Sequence, residues 1–499
     1  MVPLRLGPLA VALGLVLTVA AWLVAGNVQV PVPIRYDYDE GVYVATADAI
    51  ASGSHLYRDI FLSQPPLFVL IIRATFRLWG TSLGVARSAV VILSVIWLLA
   101  MLAILWARGS PWGGVVAVCL VLGRATFLSA ARTVQMEVPG EALACAAVAL
   151  AAWGLRRPGN GWWAGAGILA ALAAMTKLTA VTAVIPLIGA VASTDGPSSR
   201  WRLRMLAAGG LLALASLLPV VATGGFVDQV VAFHLALTRT LDTSAPTHLA
   251  TIGWFLAAEW PLSLAALLGC WRALASGAAF ERALIVWLAA DLVVLAGLTP
   301  LWPHHLIILV SPMCLLAGAA FPRGRQPRLD LSRTDGADQV NGLPARLSAL
   351  VPGRAHGSRL VALLAVCVTA YVGLAVSALS RPVPSPELAH VVRRIADAVP
   401  PGGKVLTDDP MVAFLARRQV ADGLIDSSLT RIWVGHISQA QLVSALRARD
   451  TEAVVLWRGT FRRYFPGLRS AAAEVFAVAE TFPGGRILLL KRHGATHSP

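Results

Sequence analysis

Long apolar runs are the feature that most limits what this chain can fold into. A helix needs about 20 apolar residues to cross the roughly 30 Å core of a bilayer, and about eleven stretches approach that length. They are residues 7–26, 87–106, 112–130, 140–155, 161–176, 178–193, 204–223, 251–271, 282–298, 304–321 and 359–379. Only 13% of the 499 residues are charged, against about a quarter in soluble domains. The chain is therefore predicted to be an all-α polytopic membrane bundle.

Arginine placement predicts which loops lie on which side of the membrane. Cytoplasmic loops are enriched in Lys and Arg, and arginines cluster in alternate connections, at 108, 156–157, 200–204, 272–282 and 323–354. The arginine-poor loops 27–86, 131–139, 224–250 and 299–303, and the junction at Lys177, are then predicted to be outside. Loop 27–86 lies outside whether the first run is an uncleaved helix, as its length favours, or a cleaved signal peptide. The net charge of +15 reflects these orientation signals and does not indicate nucleic-acid binding.

Four parts follow from this pattern. Residues 1–321 form a transmembrane module, 322–358 a flexible cytoplasmic linker rich in Gly, Pro and Arg, and 359–380 the last transmembrane helix. Residues 381–499 are predicted to form a small extracytoplasmic α/β domain, because helices opened by Ser385 and Ser438 alternate with the strands KVLTD and EAVVLW. The protein is predicted to be multi-pass in the inner (plasma) membrane.

The first outer loop contains the residues that most strongly indicate a function. A loop of this length is usually functional or disordered, and residues 35–80 are too apolar and aromatic to be disordered. One helix is predicted from Asp39 and Glu40 to Ser52, with Gly53 after its end. Pro65 and Pro66 open a second helix that should lie along the membrane interface. Its predicted apolar face is Leu67, Leu70, Ile71, Ala74 and Leu78.

Asp39 and Glu40 have two compatible interpretations. Structurally, Asp39 would be the N-cap of the helix and Glu40 would interact favourably with the helix dipole. Catalytically, Asp39 would take a proton from an acceptor hydroxyl with Glu40 as its orienting partner. A carboxylate next to apolar surface can hold a pKa suited to that task.

Further candidate site residues lie in or near other predicted outer segments. Glu137, beside Arg132, is either one half of a surface ion pair or a site carboxylate facing a cavity. Lys177 is either a snorkelling lysine at a hairpin or a positive charge that binds a phosphate. Arg58, His304 and His305 are further candidates for phosphate contact, although histidines near an interface are often structural. Whether a metal takes part stays open.

Several other patterns favour structural roles or exclude functions. Asp291 lies within an apolar stretch and is predicted to be protonated or paired inside the bundle, and Glu141 is predicted to be interfacial. Asp408 and Asp409 precede Pro410, which is typical of a turn.

No GxxxxGK[ST] motif is present, which disfavours a nucleotide-sugar donor. The five cysteines all lie in apolar stretches and offer no disulfide framework or zinc spacing.

Taken together, the outer motifs resemble those of the GT-C type glycosyltransferases that use lipid-linked sugars, a group that includes protein O-mannosyltransferases and aminoarabinose transferases. The resemblance covers roughly residues 30–320. It rests on Asp39-Glu40-Gly41-Val42-Tyr43, Tyr57-Arg58-Asp59, Gln64-Pro65-Pro66-Leu67, Ala86-Arg87, the run 132–139 (RTVQMEVP), Thr176-Lys177 and Pro303-His304-His305-Leu306. The outer C-terminal domain also looks like that of bacterial members.

This resemblance implies a glycosyltransferase that moves a sugar from a polyprenyl-monophosphate donor to a cell-envelope glycan, lipid or protein. It implies Asp39 as catalytic base, Glu137 as the acidic residue of the second outer loop, and Lys177 as a donor-phosphate ligand. Some members have lysine where this chain has Gln64, so phosphate contact at that position does not carry over. A transporter or flippase of lipid-linked sugars is the alternative, and a non-catalytic scaffold presenting the outer domain is a third class.

Overall fold

The computed structural model describes residues 37–194, 196–222, 224–241, 245–321 and 385–491, with parts of 8–20. Half of the predicted first span 7–26, the linker 322–358 and the predicted last span 359–380 lie outside the described residues. The described part of the chain is a helical bundle followed by a small mixed α/β unit.

Fourteen α-helices lie between residues 37 and 321, among the described residues. They are α1 Tyr38–Ala51, α2 Leu67–Trp79, α3 Leu83–Ala107, α4 Pro111–Leu122, α5 Ala125–Ala130, α6 Glu137–Gly154, α7 Gly161–Thr176, α8 Val184–Ala192, α9 Pro197–Val221, α10 Phe233–Thr240, α11 Ala245–Ala258, α12 Trp260–Ser276, α13 Ala279–Gly297 and α14 Val310–Ala319. Two 3₁₀ segments, Leu178–Ala183 and Pro303–Leu309, and a π-helical turn, Asp228–Ala232, join some of them.

Two of the described helices, α3 and α9, are long and apolar enough to cross a bilayer. A third span is possible if α11 and α12 form one broken helix, which bends by 93° at the break. Four further apolar segments are shorter, at 111–122, 161–176, 178–192 and 303–319. The number of eleven spans therefore stays a prediction.

Three of the predicted spans are interrupted, and each break lies at a charged residue. The span 112–130 stops at Gly123 because Arg124 has extended backbone and forms an ion pair with Glu259. The span 251–271 breaks at Glu259, the other half of that pair. The span 178–193 begins as a 3₁₀ segment directly after Lys177, whose extended backbone ends α7.

Small residues allow the central helices to pack closely. A Cβ on Gly167 of α7 would lie 1.9 Å from the Leu206 carbonyl oxygen of α9, and one on Gly209 would lie 2.1 Å from the Ala164 carbonyl oxygen. Helices within lipid associate through such close backbone contact because apolar burial between them gains little. Helices α3, α6, α7 and α9 form a packed row in this way.

The first outer loop folds into the two predicted helices, with one correction at its start. The N-cap of α1 is Asp37, whose side chain accepts a 2.9 Å hydrogen bond from the Asp39 backbone N–H. The prediction of Asp39 as the N-cap was wrong because the cap lies two residues earlier, at Asp37, and the helix begins at Tyr38. The Asp39 carboxylate is therefore not used for capping.

Helix α2 begins after Pro66 and ends at Gly80, as predicted. The face predicted to be apolar points outward, with Leu78 70% exposed. A second apolar face, formed by Phe68, Val69, Ile72 and Phe76, is buried in the protein. The helix can thus lie between the protein and an apolar environment, as the interfacial prediction requires.

The C-terminal unit is a five-stranded sheet with helices, which agrees with the predicted α/β character. Its strand order is β2-β1-β3-β5-β4; β2, β1 and β3 are parallel, whereas β5 is antiparallel to β3 and β4. The strands are β1 Lys404–Thr407, β2 Gln419–Val420, β3 Thr451–Leu456, β4 Phe476–Phe482 and β5 Arg486–Lys491. The helices are α15 Pro386–Ala398, α16 Pro410–Leu415, α17 Leu429–Trp433, α18 Gln439–Arg447, α19 Thr460–Tyr464 and α20 Gly467–Val475, and a 3₁₀ turn spans Pro483–Gly485.

This unit packs directly on the first outer loop. Phe76 of α2 stacks on Phe414 of α16, with ring centroids 5.9 Å apart. Gly41 of α1 lies against α16 so closely that an added Cβ would be 2.8 Å from the Met411 backbone nitrogen. The helix that carries Asp39 is therefore enclosed by the C-terminal unit on one side and the bundle on the other.

Candidate active site

A cavity of about 380 Å³ lies where the first outer loop, the Lys177 junction, the 3₁₀ segment 303–309 and the C-terminal unit meet. Its polar lining includes Asp39, Gln64, Lys177, His304, His305 and Asp426. Residues separated by almost four hundred positions thus share one site. Apolar side chains from residues 230–237 and 298–302 line the remaining wall.

Asp39 is the carboxylate that enters this cavity from α1. Burial raises its pKa to about 8, and the negative charges of Asp37, Glu137 and Asp426 act in the same direction. Lys177 opposes them. A carboxyl group with this pKa can exchange a proton near neutral pH, which suits a general base.

Glu40 points away from the cavity and is fully buried. Arg87 of α3 donates two hydrogen bonds of 2.8 Å, one to each carboxylate oxygen of Glu40. The backbone N–H of Val134 donates a third, of 2.9 Å. The Glu40 carboxylate therefore ties α1 to α3 and to the second outer loop, which fixes the orientation of the neighbouring Asp39.

Lys177 and His304 line another wall of the cavity and contact Glu137, which is buried and is not part of the lining. The Lys177 ammonium lies 2.5 Å from Glu137 Oε1, and His304 Nε2 lies 3.7 Å from the same oxygen. Burial by itself raises the pKa of Glu137, but Lys177 and His304 hold it below its ordinary value. Glu137 is thus a buried ion-pair partner rather than half of a surface pair.

Glu137, His304 and His305 also offer a ligand set for a metal ion. One ligand atom from each lies within 4.8 Å of the others. Two imidazoles and a carboxylate are a frequent set for zinc and similar divalent ions. The three residues are chemically suited to such an ion, with Glu137 contacting both the ion and the Lys177 ammonium.

Besides Glu40 and Glu137, two predicted site residues, Arg58 and Arg132, do not line the cavity. Arg58 is largely exposed, and its guanidinium hydrogen-bonds to Asp59 and His55 at the tip of the first loop. Arg132 is half-buried on the second outer loop. The structure brings Asp39, Glu137, Lys177, His304 and His305 together and leaves these two arginines aside.

Asp426 is a cavity residue that the sequence did not single out. It belongs to the C-terminal unit, and only the tertiary structure brings it close to Asp39. Gln229, which the sequence also did not single out, lies outside the lining; its side chain accepts from the Leu62 N–H and donates to the Tyr57 carbonyl oxygen, at 2.9 and 2.7 Å. It holds in place the loop segment that leads to Gln64. Neither residue lies in a recognisable motif.

The remaining acidic candidates lie outside the cavity lining. Asp408 accepts hydrogen bonds from the N–H groups of Trp457 and Arg458, and Asp409 caps α16, so both carboxylates have structural contacts, at a helix start and not in a simple turn. Glu141 is buried and accepts a hydrogen bond from Ser311. Its interfacial position stays a prediction. Asp291 is fully buried in α13.

Comparison with known proteins supports the resemblance seen in the motifs. The family model for dolichyl-phosphate-mannose-protein mannosyltransferases matches residues 63–222. That range contains Gln64, Arg87, Glu137 and Lys177. Curated proteins gave no significant sequence match.

Solved structures extend the similarity to nearly the whole chain. ArnT from Cupriavidus metallidurans, bound to undecaprenyl phosphate, aligns over 98% of this chain and 99% of its own with a TM-score of 0.64 at 14% identity. Its apo form aligns with a TM-score of 0.65 at 15% identity, over 96% of this chain and 97% of its own. The Archaeoglobus fulgidus oligosaccharyltransferase aligns with a TM-score of 0.55 at 11% identity, over 98% of this chain and 74% of its own. The chain therefore has the GT-C glycosyltransferase fold, and its residues 63–222 match the dolichyl-phosphate-mannose-protein mannosyltransferase family.

Proposed function

We propose that this protein is a membrane glycosyltransferase that moves a sugar from a polyprenyl-monophosphate donor to a hydroxyl of a cell-envelope acceptor, on the outer face of the membrane. The observation that supports the proposal is that Asp39 and Lys177 line the same cavity. It provides a proton acceptor and a phosphate-binding cation within one enclosed site.

Asp39 is the proposed general base. The acceptor hydroxyl transfers its proton to the Asp39 carboxylate while its oxygen attacks the anomeric carbon. The bond from that carbon to the phosphate oxygen breaks on the opposite face, so the anomeric configuration inverts. Glu40 serves as a positioning residue, because its contacts to Arg87 and Val134 fix α1.

Lys177 is the proposed ligand for the departing phosphate, with His304 beside it. A lysine ammonium has three donors, so it can contact Glu137 and a phosphate oxygen together. Stabilising charge on the leaving group is a large contribution in transfer reactions. Arg58, Arg132 and His305 stay candidates for donor contact in the bound state, as predicted from the sequence.

The flippase alternative has no specific support. Transport requires an alternating path for the substrate near mid-membrane, whereas the charged cavity lies at the predicted outer end, next to the C-terminal unit. The family match and the fold both favour a transferase.

The direct test is transfer of radiolabelled sugar from polyprenyl-phosphate donors to endogenous acceptors in membranes that contain the protein. We expect label in acceptor material that depends on the protein and on the lipid donor. Absence of transfer with every donor sugar, from membranes that contain folded protein, would contradict the proposal.

The pH dependence of the reaction should follow the ionisation of the Asp39 carboxyl group. The base must be ionised, and because its pKa is about 8, most Asp39 is protonated at pH 6. We expect kcat/KM to rise about tenfold per pH unit well below that value and to level above it. Steady-state rates between pH 5.5 and 9.5 would measure this, with thermal unfolding over the same range as control. A flat profile would argue against Asp39 as the base.

A further inference from the structure

The proposed base lies in the first turn of α1, directly after Tyr38, the first residue of that helix. Backbone N–H groups in a first turn have no carbonyl partner within the helix, and helix ends fray readily. The orientation of Asp39 therefore depends on what holds this turn from outside α1. Glu40 supplies one such contact, to the bundle.

Tyr38 supplies a second contact, to the C-terminal unit. The Ser427 N–H donates a 2.6 Å hydrogen bond to the Tyr38 hydroxyl, and the hydroxyl oxygens of the two residues lie 3.2 Å apart. Asp426 Oδ1 lies 3.5 Å from the same Tyr38 hydroxyl. Tyr38 is separated from these partners by 388 and 389 positions, so no local sequence pattern predicts the contact.

The turn that contacts Tyr38 is itself held from several sides. Asp426 Oδ1 accepts a 2.9 Å hydrogen bond from the Ser428 N–H. The buried Arg431 guanidinium donates to the Asp426 carbonyl oxygen. The same guanidinium lies over the Phe61 ring of the first outer loop, 4.1 Å from its centroid. Because these contacts fix the turn, the Tyr38 hydroxyl docks on a rigid partner.

The two aspartates that follow β1 hold other parts of the C-terminal unit against the same helix. Asp408 accepts a 3.1 Å hydrogen bond from the Arg458 N–H, and the Arg458 guanidinium lies over the Tyr38 ring, 5.1 Å from its centroid. A cation in this position is attracted to the face of the ring. Asp409 caps α16, the helix that packs against Gly41 of α1. The C-terminal unit therefore contacts both the ring and the hydroxyl of Tyr38.

We propose that Tyr38 is a positioning residue for the base: through it the C-terminal unit holds the first turn of α1, and with it Asp39, in the orientation that sugar transfer requires. This inference rests on the proposed function, and it assigns the C-terminal unit a part in catalysis. The cavity lining contains Asp39 but not Tyr38. Tyr38 therefore acts through Asp39 and not by contact with either substrate.

The first test is Tyr38→Phe, which removes the hydroxyl and keeps the ring that faces Arg458. We expect kcat for labelled transfer to fall about tenfold, because a small misplacement of a reacting group is costly. The donor KM should not change, since Lys177 and His304 are untouched. In the Asp39→Asn background, Tyr38→Phe should cause no further loss, because the base through which it acts is absent. A purely structural role would lower the rate by the same factor in both backgrounds.

Hydrogen exchange of the α1 amides measures the docking without relying on turnover. Without the Tyr38 hydroxyl, the first two turns of α1 should exchange about tenfold faster than in the wild type, while the thermal unfolding midpoint in detergent stays close to the wild-type value. Arg458→Met tests the other contact to Tyr38. It should lower kcat about threefold, again only when Asp39 is present.

Tyr464→Phe is the matched control, because the Tyr464 hydroxyl accepts a 3.4 Å hydrogen bond from Trp433 Nε1 within the C-terminal unit. It should change neither kcat nor the exchange of the α1 amides. An unchanged kcat in Tyr38→Phe, equal factors of loss with and without Asp39, or unchanged exchange of α1 would each overturn the positioning role. Absence of transfer by the wild type, together with the expected change in exchange, would instead count against the proposed function.

Discussion

Replacing Asp39 by Asn is expected to lower kcat for sugar transfer by about 10²–10⁴-fold, the usual contribution of a general base. The amide has nearly the same shape as the carboxylate but cannot accept the proton of the acceptor hydroxyl. The measurement is the initial rate of labelled transfer at pH 9, where wild-type Asp39 is mostly ionised because its pKa is about 8.

In the structure, Asp39→Asn removes the proposed base without removing the cap of α1. Asp37, not Asp39, caps α1, so Asp39→Asn leaves the start of the helix intact. The thermal unfolding midpoint in detergent should therefore stay close to that of the wild type. Asp37→Asn is the matched control and should retain most activity, since Asn is also a good N-cap. A variant Asp39→Asn that keeps near-normal turnover would exclude Asp39 as the base.

Breaking the ion pair between Glu40 and Arg87 should have the largest effect on stability. Both side chains are almost fully buried, at 0% and 8% exposure, and are joined by two hydrogen bonds. Removal of one partner of a buried pair leaves an uncompensated charge and costs about 3–5 kcal/mol. We expect Glu40→Gln to lose about this much in the free energy of unfolding and to lower kcat as α1 loosens.

Two further variants distinguish the loss of the Glu40–Arg87 ion pair from the general effect on stability of removing one charge. Glu387→Gln removes an exposed partner of Arg486 and should cost about 1 kcal/mol or less. The double variant Glu40→Gln with Arg87→Met removes both charges, so its loss should be smaller than the sum of the two single losses. Additive losses measured by thermal unfolding in detergent would show that the two side chains act independently.

Local sequence features determined much of the architecture. Pro66 and Gly80 bound α2, Ser385 and Ser438 cap α15 and α18, and the strands at 404 and 451 were read from short apolar runs. These features depend on neighbouring residues alone. The order of outer motifs also predicted the GT-C resemblance that the fold comparison confirmed.

Where the prediction failed, long-range contacts decided the outcome. Arg124 and Glu259 interrupt two apolar stretches because they pair with each other across 135 positions, and no local pattern reveals such a pair. Likewise, no local pattern reveals what Glu141 contacts. Its actual partner is Ser311, on a different helix.

The sequence by itself determined that this chain is a largely apolar helical bundle with an α/β unit at its end, because hydropathy and capping residues act over short distances. Only the tertiary structure decided which charges share a site. It separates Asp39 from Glu40, which are adjacent in sequence but belong to different networks, and it brings Asp426 to the base. Successive helical residues point in different directions, so adjacency along a helix does not place two side chains in one cavity.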